Sequence, residues 1–262
     1  METFSVDYEP RRIDLINPAF TRGMLADLEQ RTILDAFHGE VAQVICRIND
    51  GKEATVYLCE ARPEVGVPLL AAKMYRANKF RAFRSNSRYA DERPVRDRRL
   101  AKAMRQKTPL GTTQNQLHWV KHEWDTLNVL HEAGVAVPKP IGHCDAGVLM
   151  EFIGDSAAAA PMLSEMRLDA GTADRVWWEL LRNIEGMLAC GVVHGDLSAY
   201  NILMFRERLR IIDVPQSLNV NTPSAFACLE RDVANVARYF ARAGVTIDVP
   251  GIVIDLWQRR WG

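Results

Sequence analysis

The 262-residue chain is 48% hydrophobic and 25% charged, an ordinary globular composition that can bury a core as one domain or one two-lobed unit. Its 33 basic and 33 acidic residues cancel to a formal charge of +0, so a chain-wide attraction to polyanions is excluded and any such attraction must be local. No apolar run approaches the ~18 residues that span a bilayer, and the start METFSVDYEP lacks the basic and apolar regions of a secretion signal, so a cytoplasmic protein without a membrane partner is expected.

Apolar residues at helical spacing (Met24, Leu25, Leu28, Ile33, Leu34, Phe37) predict a helix over 22–37, ending before Gly39. Three β-rich runs follow at 41–48, 54–60 and 68–75, the first two joined by the turn-forming NDGK, and read as an antiparallel meander. Residues 76–107 break the pattern with twelve Lys/Arg against three acidic residues, a local charge of +9. Its charge density and few large aliphatics, with Pro94 inside it and Pro109 just past it, argue against a packed element, so that segment is expected to be mobile in the free protein and to dock on a polyanion or an acidic partner. A helix is predicted around 116–132, with Leu117, Val120, Trp124, Leu127 and His131 on one stripe and Glu123 on or beside it, where a carboxylate requires a cation. Short strands are expected at 139–144 and 147–153. The clearest helix spans 172–190, with Thr172 as N-cap, Val176, Trp177, Leu180, Leu181, Ile184 and Leu188 as its buried stripe, and Gly191 just past its end. Strands at 202–204 and 209–213 and a helix near 225–242 complete the order. The five cysteines (Cys46, Cys59, Cys144, Cys190, Cys228) fall in no CxxC pair and are read as buried thiols, with neither a disulfide framework nor a zinc site.

Phosphoryl transfer needs phosphate clamps, metal ligands and a group that orients the attacking hydroxyl. The loop His194-Gly195-Asp196-Leu197-Ser198-Ala199-Tyr200-Asn201, followed twelve residues later by Asp213 at the end of a hydrophobic strand, supplies a carboxylate, an amide and a second carboxylate in the kinase arrangement. Taken alone, Asp196 would be read as a cap or turn former; the joint pattern reverses that. Lys73, in the apolar Ala71-Ala72-Lys73-Met74-Tyr75, resembles the lysine of the third kinase strand, and Glu123 is its expected partner. The turn at Gly51, Lys52 and Glu53 could cradle phosphates with backbone N–H groups. His118 and His122, four apart on a helix, lack a third ligand for a metal, and Trp177 belongs to the core stripe.

The segments GKEATVY (51–57), AAKMY (71–75), VLMEFIG (148–154), HGDLSAYN (194–201) and IIDVPQS (211–217), in this order and spacing, resemble the RIO family of atypical serine/threonine protein kinases. The resemblance covers roughly 41–240 and includes the basic insertion. It implies an α+β, two-lobed, protein-kinase-like fold: an N-terminal helical extension (1–40), an N-lobe built on an antiparallel sheet (41–153, inserted at 76–107) and a mainly helical, truncated C-lobe (154–262). The subgroup without an N-terminal winged helix is the closer match, and Asn49 stands where RIO proteins commonly have Ser. The implied activity is ATP-dependent serine/threonine kinase or ATPase chemistry, with autophosphorylation and a role in small-ribosomal-subunit maturation. ATP and Mg²⁺, or Mn²⁺ in its place, are the implied cofactors, and a protein substrate and ribosomal RNA or a pre-ribosome, met through 76–107, the implied partners. By this likeness Asp196 is the catalytic aspartate, Asn201 and Asp213 hold the metal, and Lys73, paired with Glu123, contacts phosphate. Lys52 and Glu53 belong to the phosphate loop, Met150 is the gatekeeper, and the backbone at Glu151 and Ile153 meets adenine. The alternatives are a small-molecule phosphotransferase of the aminoglycoside or choline type, which normally has His where this chain has Ser198 and Trp where it has Val214, and a nucleotide-sensing assembly factor with little catalysis.

Overall fold

The computed structural model describes residues 27–76, 109–155 and 158–260, and side chains of the helix that begins at Pro109 from Leu117 onward. The basic segment therefore lies, apart from Arg76, outside the described residues, as do Met24 and Leu25. The chain divides into two compact units: one takes in the described residues up to Asp125 together with Lys139–Phe152, the other Thr126–Pro138 and the described residues from Ile153 onward.

The first unit is a five-stranded, wholly antiparallel sheet in the order β1-β2-β3-β5-β4. Its strands are β1 (Val41–Asp50), β2 (Ala54–Ala61), β3 (Leu69–Tyr75), β4 (Pro140–Cys144) and β5 (Gly147–Glu151). Helix α1 (Asp27–Ala36) precedes them, and α2 (Pro109–Glu132) is inserted between β3 and β4. Successive side chains of a strand point to opposite faces. On β3 this sends Leu70 and Ala72 into a cluster with Ile33, Phe37, Val41, Val44, Tyr57, Cys59 and Leu149, while Ala71, Lys73 and Tyr75 take the other face. Residue Leu28, expected on the inner stripe of the first helix, is instead 74% exposed. Among the described residues of that stretch only Ile33 and Phe37, one turn apart, are fully buried. Helix α2 begins seven residues before the expected start, with Pro109 in its first turn, where a missing N–H costs nothing.

The second unit is mainly helical. Helix α3 (Ala170–Ala189) buries all six residues of its predicted stripe, and Trp177 packs on Phe240 with ring centroids 5.2 Å apart. Its N-cap is Asp169 and not Thr172: the Asp169 carboxylate accepts the Thr172 N–H at 3.0 Å, so the helix starts two residues earlier than expected. Gly191 (φ +75°) ends it in the left-handed conformation that glycine adopts without strain. Strand β6 (Val192–Val193) pairs with β9 (Leu218–Asn219), and β7 (Ile202–Phe205) with β8 (Arg208–Ile211). Helices α4 (Ala225–Arg242) and α5 (Val249–Arg259) close the chain. The two-residue β6–β9 ladder and α5 escaped the sequence reading, although Asp248-Val249-Pro250 is a start signal, and Asp248 caps α5 by accepting the Gly251 N–H at 3.2 Å. Two strands stop short of their expected ends, at Glu151 and Ile211. Cys46, Cys59 and Cys228 are buried, whereas Cys144 and Cys190 are only half-buried. No helix among the described residues is long and apolar enough to cross a membrane.

Leu149 has no exposed surface in the cluster that joins α1 to the sheet. Leu149→Ala should lower unfolding stability by about 2–5 kcal/mol, read as a lower denaturant midpoint at unchanged slope.

Candidate active site

In the first unit β3 and α2 bring two charges together out of water. Lys73 faces α2 because it shares its strand face with Tyr75, and Glu123 faces β3 because it lies on the buried side of α2. The Lys73 Nζ lies 2.6 Å from Glu123 Oε1, with side-chain exposures of 13% and 2%. The Tyr75 hydroxyl donates to Glu123 Oε2, so both carboxylate oxygens have donors. Tyr75 was missed in the sequence, although its place two residues from Lys73 on the same strand face was the available cue. Such a pair holds Lys73 in one orientation with its ammonium still partly open, and removing either partner would strand a buried charge.

The β1–β2 turn is fastened at its base. The Gly51 N–H donates to the Ala54 carbonyl at 3.0 Å, and the Thr55 hydroxyl donates to Asp50 Oδ1 at 3.1 Å. Arg76 donates from Nε to Thr55 Oγ1 at 3.0 Å, forms an ion pair with Asp50, and sends its backbone N–H to the Glu53 carbonyl at 3.0 Å. Lys52 is exposed at the tip and Glu53 half-buried. Met150 is half-buried on β5, opposite Ala71. The Glu151 N–H donates to the Lys139 carbonyl at 2.8 Å, and in the second unit the buried Ile153 carbonyl accepts the Ala160 N–H at 3.0 Å.

The second unit holds the loop 194–201 in a network of backbone bonds. Asp232 of α4, 2% exposed, accepts the Gly195 N–H at 2.7 Å and the Leu197 N–H at 3.2 Å, gripping the loop on both sides of Asp196. Arg231 donates to the Gly195 carbonyl, and its guanidinium lies 3.6 Å from the Asp232 carboxylate. Asn235 adds a bond to the Leu197 carbonyl at 3.3 Å. A Cβ at Gly195 (φ +81°) would collide with the Gln216 carbonyl, so only glycine fits there. The His194 Nδ1 accepts the Asp196 N–H at 3.3 Å while Nε2 faces the Ile212 carbonyl at 3.2 Å, an arrangement that a neutral ring protonated on Nε2 satisfies. Asn201 donates from Nδ2 to the Asp196 carbonyl at 2.8 Å, and the Asn201 carbonyl accepts the Ile212 N–H at 2.9 Å. These two bonds tie Asp196, Asn201 and the residue before Asp213 into one frame. Asp213 itself turns out of the strand direction at φ +67°, a sparsely populated conformation for a residue with a Cβ.

The Asp196 side chain reaches solvent, yet its carboxyl is raised above the ordinary aspartate value by lost hydration and by the Asp213 carboxylate, with Arg231 pulling the other way. Burial pushes Asp232 up to about 7 against the two amides and Arg231. Its place on the inner stripe of α4, three and four residues from Leu229, Cys228 and Val236, was the sequence signal for this residue. With the Asn201 Nδ2 committed to the Asp196 carbonyl, its Oδ1 is the atom of that amide left to act as a hard-oxygen ligand, the oxygen type that Mg²⁺ prefers. Among the described residues no three His, Cys, Asp or Glu side chains gather into a metal cluster.

Comparison with known proteins gives a family. The family model described as the RIO domain matches residues 55–252. The RIO-type serine/threonine-protein kinase Rio1 of Haloferax volcanii is 34% identical over 218 residues, covering 82% of this chain and 67% of its own length. Rio1 of Thermoplasma acidophilum is 36% identical over 130 residues, 50% of this chain and 67% of its own. The serine/threonine-protein kinase RIO1 of Chaetomium thermophilum is 32% identical over 241 residues, with 86% of this chain but only 43% of the relative covered. Among solved structures, the Rio2 kinase–ADP/Mg²⁺–phosphoaspartate complex from Chaetomium thermophilum matches 89% of this chain and 66% of its own, with a TM-score of 0.65 at 20% identity. That likeness establishes a kinase-like α+β fold.

Asp232→Ala should orphan two buried amides and destabilise the protein by about 1–3 kcal/mol for each. Because the folded-state value of Asp232 lies above the ordinary 3.8, the folded state binds the extra proton between pH 3.8 and about 7, and stability declines as pH rises through that window. Asp232→Asn should flatten that decline, measured by denaturant melts at pH 4, 5.5 and 7.

Proposed function

The chain belongs to the RIO domain family, and from that premise we propose that it is an ATP-dependent serine/threonine protein kinase or ATPase. The observation that carries this reading is the frame formed by the Asn201 Nδ2 bond to the Asp196 carbonyl at 2.8 Å and the Ile212 N–H bond to the Asn201 carbonyl at 2.9 Å. It ties the backbone at Asp196, Asn201 and Ile212 together, which supports a reading in which the Asn201 amide oxygen and the Asp196 and Asp213 carboxylates serve as the donor set of phosphoryl transfer. In this proposal Asp196 accepts the proton of the attacking hydroxyl or water, which requires its ionised form. Asn201 and Asp213 hold Mg²⁺, or Mn²⁺, which when bound neutralises charge on the phosphates. Lys73, oriented by Glu123 and Tyr75, donates to phosphate oxygens. Lys52, Glu53 and the fastened Gly51 turn cover the phosphates, while Met150 and the backbone at Glu151 and Ile153 border the adenine. The small-molecule phosphotransferase alternative gives way to the family match over 55–252.

A protein substrate is part of this proposal, by analogy with relatives named as serine/threonine-protein kinases. Contact with ribosomal RNA or a pre-ribosome rests on the +9 charge of 76–107 alone. A cytoplasmic setting accords with five free cysteines, three of them buried.

Asp196→Ala should abolish Mg²⁺-ATP turnover while leaving nucleotide affinity within several-fold, since the carboxylate meets the nucleophile and not the adenine. With the Asp196 value raised, wild-type turnover should fall off on acidification at a pH above 3.8. Retention of most turnover by Asp196→Ala in a labelled-ATP assay that follows free phosphate, autophosphorylation and transfer separately would refute the role.

Lys73→Met and Glu123→Ala should each cut turnover, the first by removing a cation from the phosphates and the second by freeing that cation to move. The double variant should be no worse than Lys73→Met alone; additive losses would mean that the two residues act independently.

A further inference from the structure

A cavity of about 280 Å³ in the second unit takes no part in the chemistry proposed above. Its walls follow from two periodicities. On α3, Glu179, Arg182, Asn183 and Gly186 lie one and two turns apart on one face. On β8, Arg208 and Arg210 are two residues apart and share a side. Residues Ala133 to Ala136 close the third wall. The wall is rigid where it matters, because Asn183 Oδ1 accepts the Ala136 N–H at 2.6 Å while its Nδ2 donates to the Glu179 carbonyl at 2.8 Å.

The charges on this wall do not balance. The carboxylate of Glu179, 7% exposed, has Arg208 Nε 3.5 Å from its Oε1. Arg210 spends one N–H on the Leu209 carbonyl at 2.9 Å, and among the described residues neither Arg210 nor Arg182 has a carboxylate partner. Three guanidinium groups therefore face one carboxylate across a preformed recess, an excess of two positive charges. Guanidinium forks match phosphate oxygens in pairs, and a dianion would neutralise that excess.

We propose that this cavity is a binding site for a phosphate monoester carried on a side chain, that is, for a phosphorylated serine or threonine of a peptide. The volume lies just below the range of cavities that hold whole small molecules, enough for a phosphoryl group with its linking carbons. A nucleic-acid backbone is disfavoured because it needs an open track of positive charge, whereas this recess has a carboxylate in its wall. The site goes beyond the kinase reading, and its test reads binding and not turnover, so its failure leaves that reading intact.

The test is calorimetric titration of the full chain, saturated with Mg²⁺ and a non-hydrolysable ATP analogue, with a short glycine-alanine peptide bearing one phosphoserine. The phosphorylated peptide should bind and its unphosphorylated twin should not, and inorganic phosphate should compete. The double variant Arg182→Ala/Arg210→Ala should weaken binding at least tenfold, while Arg242→Ala, an exposed arginine away from the cavity, should leave it unchanged. Both arginines of the double variant are at least partly exposed, so its melting temperature should stay near wild type, and Arg182→Lys/Arg210→Lys provides a second reading in which charge persists without the fork. Absence of binding, equal binding by the double variant, or tighter binding of an RNA oligonucleotide with the same arginine dependence would overturn the proposal.

Discussion

A carboxylate withdrawn from water has to be met by donors, and two buried carboxylates organise the described parts of this chain. Glu123 receives the Lys73 ammonium and the Tyr75 hydroxyl; Asp232 receives the amides of Gly195 and Leu197. Neither pairing is a stability device in the first instance, because well-packed apolar residues would do as well without the desolvation cost. What they accomplish is orientation. Glu123 limits Lys73 to one direction, and Asp232 limits the backbone on both sides of Asp196 to one path.

The same logic places strain and specificity where the chemistry is proposed to occur. Gly195 and Asp213 both take left-handed backbone conformations, and the loop between them is bonded at nearly every turn: to Asp232, to Arg231, to Asn235 and to itself through Asn201. Conformations that cost energy persist only when their surroundings over-determine them. Here the apolar stripes of α3 and α4 form the rigid base from which Asp232 and its neighbours reach the loop. The sheet plays the equivalent part in the first unit, where the strand alternation of β3 divides its side chains between the α1 cluster and the Lys73 face.

Much of this was legible in the sequence because it depends on local period and spacing. The helices over α3 and α4, the meander of the first three strands, and the loop from His194 to Asn201 with Asp213 beyond it are each set by residues near one another along the chain. So was the demand of Glu123 for a cation, since a carboxylate on an apolar stripe cannot stand alone. Tertiary structure decided what local pattern cannot encode. Leu28 points to water because a ten-residue helix lying on a sheet buries only the part of its stripe that meets the sheet. Asp169 displaced Thr172 as the cap because the side chain that captures the orphan amide depends on where the preceding loop delivers it. The two-residue β6–β9 ladder exists only through pairing across 25 residues, too short for either strand to announce itself. Tyr75 and Asp232 became site residues through partners 48 and 37 positions away. By itself, then, the sequence determined the elements and the residue types available for chemistry, because those follow from backbone periodicity; only the tertiary structure decided which buried charge meets which donor, because that depends on distances between segments remote along the chain.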